Sequence, residues 1–274
     1  MYSSELNTYV IFNNWAYFYD LVFNSYACFK DSVFNGYTNF SRSIFKDYAD
    51  FSHSVFSGTA DFRGSVFKKI AIFGGSEFNN IAGFGESKFN EIADFVFSKF
   101  KDIANFEYSD FNDVVTFGGA VFNGEAYFRR SEFKNIAEFD YSIFNGETNF
   151  GYSEFYSTAK FEHSVFNSDA YFEDVTFEKE SRFNDAMFKG NASFNNTRFK
   201  DDALLWNTAF LGKLTLSRTR YEKLYIRWYD INGSLVYDDA ALMSLMKDFQ
   251  DLGYFEDYED CYSQYMREHG NLTV

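Results

Sequence analysis

The chain has 274 residues, among them 39 Phe, 21 Tyr and 3 Trp, and it has no Pro; average usage would supply roughly 5% Pro. Its aromatic content of 23% excludes a disordered, solvating chain. The net charge of −15, from 40 acidic against 25 basic side chains, argues against a nucleic-acid binder held by phosphate neutralisation.

The first residues, 1–11, read as an N-terminal cap, and Met1 to Phe12 lacks the basic-then-apolar layout of a signal peptide. No apolar run reaches the ~18–20 residues of a membrane span, and two Cys make no disulfide framework. A cytoplasmic location is the default expectation.

From Phe12 the chain is periodic. One series runs Phe12, Phe23, Phe34, Phe45 and on in steps of 11 to Phe210, then Tyr221. A second runs Phe18, Phe29, Phe40, Phe51 and on to Phe194, then Leu205 and Leu216. The series are offset by alternating steps of 6 and 5 residues and hold every Phe except Phe97, Phe249 and Phe255. Two residues before nearly every aromatic is a small one. It is mostly Ser in the first series (Ser32, Ser43, Ser54, Ser65) and mostly Ala in the second (Ala49, Ala60, Ala71, Ala82).

A small residue at i−2 and a large one at i both point inward if the chain is extended, because side chains alternate across a strand. The residue between them then faces water, as Asp50, Asp61, Glu77, Lys88, Asp94, Lys99 and Asp110 suggest. An 11-residue period also fits a helical supercoil. Gly-Gly at 74–75 and 118–119, Asn-Gly at 35–36, 123–124 and 145–146, and abundant Ser, Thr and Asn oppose helix. The prediction is a β-solenoid in which each coil stacks its aromatics on those of the next. Absence of Pro has a cause there, since backbone N–H groups must pair between coils nearly everywhere. The spacing breaks near Ile226 to Asn232.

Ser54-Val55-Phe56, Ala60-Asp61-Phe62, Ser65-Val66-Phe67 and Ala104-Asn105-Phe106 resemble the pentapeptide repeat family, and the resemblance covers residues 10–221. It implies an all-β solenoid, a right-handed quadrilateral β-helix with four short faces per coil. Here every second face has six residues, so a square coil takes 22. A flattened 11-residue coil is the alternative, and the square is favoured. The β-helix is assigned to 12–228.

The tail, 229–274, reads as an αα-hairpin. Asp238 to Phe249 has apolar residues at helical spacing after acidic N-terminal positions, Leu252-Gly253 is a stop, and Tyr254 to Met266 resumes the pattern. Its "LG-x-F-E-D…D-C-Y-x-Q-Y" segment is similar to one that follows the solenoid in archaeal pentapeptide repeat proteins. In those relatives a membrane-spanning region can come next, so membrane association is expected only if a further segment exists. The tail holds ten acids and two bases, a net of −8, and leaves a mixed-sign rod of −7.

Nothing in the chain specifies catalysis, and no catalytic, cofactor or metal residue is assigned. His53 and His163 are 110 residues apart, about five 22-residue coils or roughly 24 Å, too far to share an ion; His269 lies in the tail. Ser at i−2 is a packing position, with its hydroxyl expected on backbone. Cys28 should point outward, and Cys261 lies in the tail.

The reading is a non-enzymatic scaffold for protein–protein interaction or assembly. Solenoid ends need caps, and Leu205, Trp206, Leu214, Leu216, Trp228, Phe249, Phe255, Tyr258 and Tyr262 are the candidate cap or interface residues. Leu204, Leu211, Leu224 and Ile226 are further cap candidates. A homodimer through the C-terminal end is compatible with these aromatics. The resemblance implies two alternatives: a DNA-mimic inhibitor of a DNA-processing enzyme such as gyrase, or the cytosolic module of a membrane protein. The 23 bases of the rod weigh against the mimic, and direct nucleic-acid binding is not expected.

Overall fold

The structure is a computed structural model that describes residues 9–271, with side chains as far as 268. Forty two-residue strands run from β1 (Ile11–Phe12) to β40 (Leu224–Tyr225), followed by α1 (Trp228–Ile231), α2 (Asp239–Leu252) and α3 (Phe255–Asn271). The strands form four parallel ten-stranded sheets, one on each side of a square coil. We number the sheets by their first strands: sheet 1 from Ile11–Phe12, sheet 2 from Ala16–Tyr17, sheet 3 from Val22–Phe23 and sheet 4 from Ala27–Cys28. Partners in the register are 22 residues apart, as in Phe34↔Phe56 and Phe67↔Phe89, which excludes the 11-residue coil.

Ladder phenylalanines fill the interior, and from Phe34 to Phe188 they are fully buried. Within a column the rings lie nearly parallel: Phe62–Phe84 and Phe84–Phe106 are each 4.9 Å apart and within 2° of parallel. Strand spacing imposes that distance. Between columns the rings meet edge to face, as Phe62 and Phe73 do at 5.4 Å and 86°. A ring quadrupole prefers that contact to face-on stacking, so neighbouring columns offset what each column alone would lack.

The Ser and Ala slots differ for a reason visible in the hydrogen bonds. After the second-series Phe the chain makes a turn closed by the N–H three residues on, mostly that of Ser, on the Phe carbonyl, as from Ser54 to Phe51 at 3.1 Å. The same carbonyl receives a hydroxyl from the coil above, Ser76 Oγ to Phe51 O at 2.6 Å. Ser65, Ser87, Ser98 and Ser109 repeat this contact. Ala slots follow the other corner. Where Ser181 occupies one, its buried hydroxyl has no partner.

The two kinds of corner also differ. The turn after a second-series Phe carries positive φ at its third residue, including Arg42, His53, Tyr108, Tyr141 and His163. The six-residue corner brings successive coils into backbone contact. A Cβ on Gly58 would lie 2.7 Å from the carbonyl carbon of Gly36, so that corner is crowded rather than left-handed.

The repeat ends one residue early, for Leu224 pairs with Ala203 at a separation of 21. Ile226 is thereby turned inward and buried. The chain then crosses the end of the rod as α1, and α2 packs against α3. Asp238 caps α2 by accepting Ala241 N–H at 2.8 Å, and Gly253 ends it at φ 76°. The expected N-terminal cap falls largely outside the described residues; Tyr9 and Val10, at its edge, are exposed.

Candidate interaction surfaces

Side chains between the inward pair form columns up the outside of the rod, one rung per coil. On sheet 1 the upper column is Val121, Ile143, Val165, Met187 and Ala209. Below it lie Ile11, Val33 and Val55, separated from the upper run by the ion pair of Glu77 and Lys99, 3.0 Å apart. The expectation of water-loving residues at this position is therefore corrected for sheet 1, where β-branched side chains cover the pleated surface. Ile143 is 37% exposed, and its neighbours in the column are half-buried. The signal was in the sequence, as the residue before alternate first-series phenylalanines.

Asp61 also departs from expectation, being buried under its own neighbours. Arg63 Nη2 binds it at 2.7 Å and Tyr37 OH at 3.1 Å. Burial alone would push its carboxyl up, but the Arg63 hydrogen bonds and charge outweigh this and hold it low.

Charge of either sign is dispersed over the remaining columns. The register gives acidic runs at Asp110, Glu132 and Glu154 on sheet 3 and at Glu125, Glu147 and Asp169 beside sheet 2. Each spans three coils, and the run on sheet 3 has bases close by. Lys88 pairs with Asp110 at 3.3 Å and Lys134 with Glu132 at 3.3 Å.

Two corners carry aromatic groups. Arg130 is held between Tyr108 and Tyr152, its guanidinium carbon 5.5 Å from each ring centre. At the other corner Phe97 is 69% exposed and adopts φ 57°, a conformation costly for a bulky residue. Its ring leans over Gly119, where a Cβ would come within 2.5 Å of it. Tyr141 stands one coil further on and stacks on His163 at 4.7 Å. Phe97 was visible as an exception to the ladder, but its exposed corner position was not.

Among the candidate cap or interface residues, the structure buries Leu205, Leu214, Leu216, Trp228 and Phe249 in the core that runs on from the rod. Leu224 and Ile226 are buried there too. Tyr258 is half-buried, whereas Trp206, Tyr262 and especially Phe255 are exposed. Trp206 sits beside Tyr225 and Tyr254, and Tyr262 lies along Tyr258. Leu204 is half-buried, and Leu211 is 67% exposed because it points outward just past its strand. Polar ties fasten the hairpin. Asp257 accepts Arg227 Nε and the Trp228 N–H, both at 2.7 Å, and Asp248 accepts the Leu224 N–H at 3.3 Å. Burial pushes the Asp248 carboxyl up to about 7 and the Cys261 thiol up to about 12.

Cys28 is exposed, and His53 and His163 occupy equivalent corners far apart along the rod. Among the described residues no group of three or more His, Cys, Asp or Glu is placed to hold a metal ion, and no helix is long and apolar enough to cross a membrane. The His269 side chain lies outside the described residues.

A square coil of four short parallel strands, with a small residue and a Phe inward on each face, defines a pentapeptide-repeat solenoid. The family model for pentapeptide repeats matches residues 18–66, 84–132, 106–154, 128–176, 139–187 and 150–198, together more than half of the chain. The protein belongs to the pentapeptide repeat family. No curated protein and no solved structure matches it.

Proposed function

We propose that the protein is a non-enzymatic scaffold whose rod docks a partner protein along sheet 1 while the C-terminal hairpin closes one end. The observation that carries this is the column of Val121, Ile143, Val165, Met187 and Ala209. A rigid sheet holds these apolar side chains at fixed spacing on an outer face, and contiguous exposed apolar surface marks interaction sites. Neighbouring Asn123, Asn145 and Asn167 form a ladder of side-chain hydrogen bonds that edges the column with polar groups. An apolar centre with a polar rim is how protein interfaces are built.

Dispersed charge supports docking over imitation of DNA, because a mimic needs a coherent negative stripe along the rod. Capture from a native extract with the full chain and with an Ile143→Lys, Val165→Lys variant tests the reading. The expected result is a partner band retained by the first and lost by the second. Equal capture by both would move the interface elsewhere. Inhibition of gyrase supercoiling at micromolar protein would favour the mimic instead.

A further inference from the structure

The N-terminal end of the rod differs from every other layer. Phe12, Phe18, Phe23 and Phe29 are only partly buried, whereas the rings directly above them are fully covered. Around them Ile11, Trp15, Tyr17, Val22 and Tyr26 are each about half exposed or more. Such an edge also presents unpaired backbone groups, a template for further strand pairing.

The direction of those groups alternates from face to face. On sheets 1 and 3 the two outer bonds of each strand are donated toward the N-terminal end, as Val33 N–H donates to Val10 O and Ile44 N–H to Leu21 O, and the ladder bond between them runs the other way, so these are the donor-rich faces. On sheets 2 and 4 the two outer bonds run the other way, as Ala16 N–H donates to Tyr37 O and Ala27 N–H to Tyr48 O, with one ladder bond returning between them, so these are the acceptor-rich faces at the N-terminal end. The first coil therefore points the N–H groups of Ile11, Asn13, Val22 and Asn24 out of the end. From the alternate faces it points the carbonyls of Trp15, Tyr17, Tyr26 and Cys28. None of these has a partner among the described residues.

Donor–acceptor–donor faces alternating with acceptor–donor–acceptor faces around a square make a self-complementary pattern. A two-fold axis perpendicular to the rod and along a diagonal of the square lays each donor face on an acceptor face of a second copy. An axis through the middle of a face would oppose like with like. The diagonal arrangement pairs strands antiparallel, stacks the half-covered first-coil rings on those of the second copy, and closes on itself without growing further. The opposite end offers no equivalent surface, since Leu214 N–H and O there already pair with Ser234 and Val236.

We infer that the N-terminal face is a docking site for a second copy of the chain, giving a head-to-head dimer. Sedimentation of the full chain over a range from low to high micromolar should show the mass rising from 32.0 kDa to twice that value. Ile11→Pro with Val22→Pro removes an outward donor from each donor face while leaving bonds within the rod intact, since Pro is tolerated where its nitrogen faces outward on an edge. Its dimer should dissociate at least about a hundredfold more readily, with an unchanged far-ultraviolet spectrum.

A second measurement does not depend on that variant folding. Either diagonal places sheet 4 over the partner's sheet 3 or sheet 1. Val22→Cys or Ile11→Cys should therefore form a reducible cross-link with Cys28 of the other copy, and which one does so identifies the diagonal. A monomer at all concentrations would overturn the proposal. A dimer that survives the Pro variant, or cross-links in neither Cys variant, would also overturn it by placing the contact elsewhere.

Discussion

The middle of the rod and its C-terminal hairpin bury themselves by different means. In the middle, each contact is one of many copies: Phe106 lies between Phe84 and Phe128 at 4.9 and 5.1 Å, and every interior ring is held alike. At the hairpin each contact occurs once. Asp257 alone ties Arg227 and the Trp228 N–H, and Asp248 alone takes the Leu224 N–H. Repetition spreads stability over nearest neighbours, whereas the hairpin depends on a few side chains.

The largest test of that contrast is Phe106→Ala. Removing one buried ring should cost about 3–5 kcal/mol. Because layers couple only to their neighbours, denaturant unfolding followed by tyrosine fluorescence should broaden or split into two transitions. A single undiminished transition would mean that the column is not what holds the rod.

Next in size is Asp257→Ala, which leaves a buried N–H and a guanidinium without their acceptor and should cost about 1.5–3 kcal/mol. Hydrogen exchange should speed up across α2 and α3 while the middle coils stay protected. Uniform loss of protection would show that the two regions unfold together.

Smaller and dependent on pH is the effect of Asp248. Its carboxyl titrates near 7 in the fold against an ordinary value of 3.8, chiefly through burial. The folded state thus binds more protons at Asp248 between these values, so this group's contribution to stability is full below 3.8 and is lost as pH rises toward 7. Asp248→Asn should flatten this dependence and raise the hairpin's melting temperature by a few degrees at pH 8, with little change at pH 4. The same slope in the variant would assign the titration to another group.

The smallest pair contrasts the two slots. Ser76→Ala should destabilise by about 0.5–1.5 kcal/mol, because its hydroxyl bonds the Phe51 carbonyl. Ser181→Ala should stabilise by a similar amount, since its hydroxyl is buried without a partner. Thermal melts of both variants check the signs.

What was legible in the sequence follows from the same contrast. Interior positions must satisfy one geometry at every layer, so Phe62, Phe84 and Phe106 announce the coil, and Ser against Ala marks which corner precedes each face. Outer positions meet no such demand. Val121, Ile143 and Val165 share a column only once the 22-residue register is known. The shortened last coil was equally hidden, because one missing residue looks like an end of the repeat until Leu224 is seen paired with Ala203. The hairpin's helices could be read from apolar spacing, but its anchoring carboxylates could not, since Asp248 and Asp257 look like any other acids in an acidic tail.

The 22-residue register also sets how such a chain can change length. Adding or removing one whole turn would make the rod one storey taller or shorter and leave each outer column aligned. A segment of half that size would rotate everything beyond it by half a turn, carrying the Val-rich side to the opposite wall. Duplication in whole turns is thus a silent way to lengthen this protein, and half-turn duplication is a single-step route to a new arrangement of its surfaces.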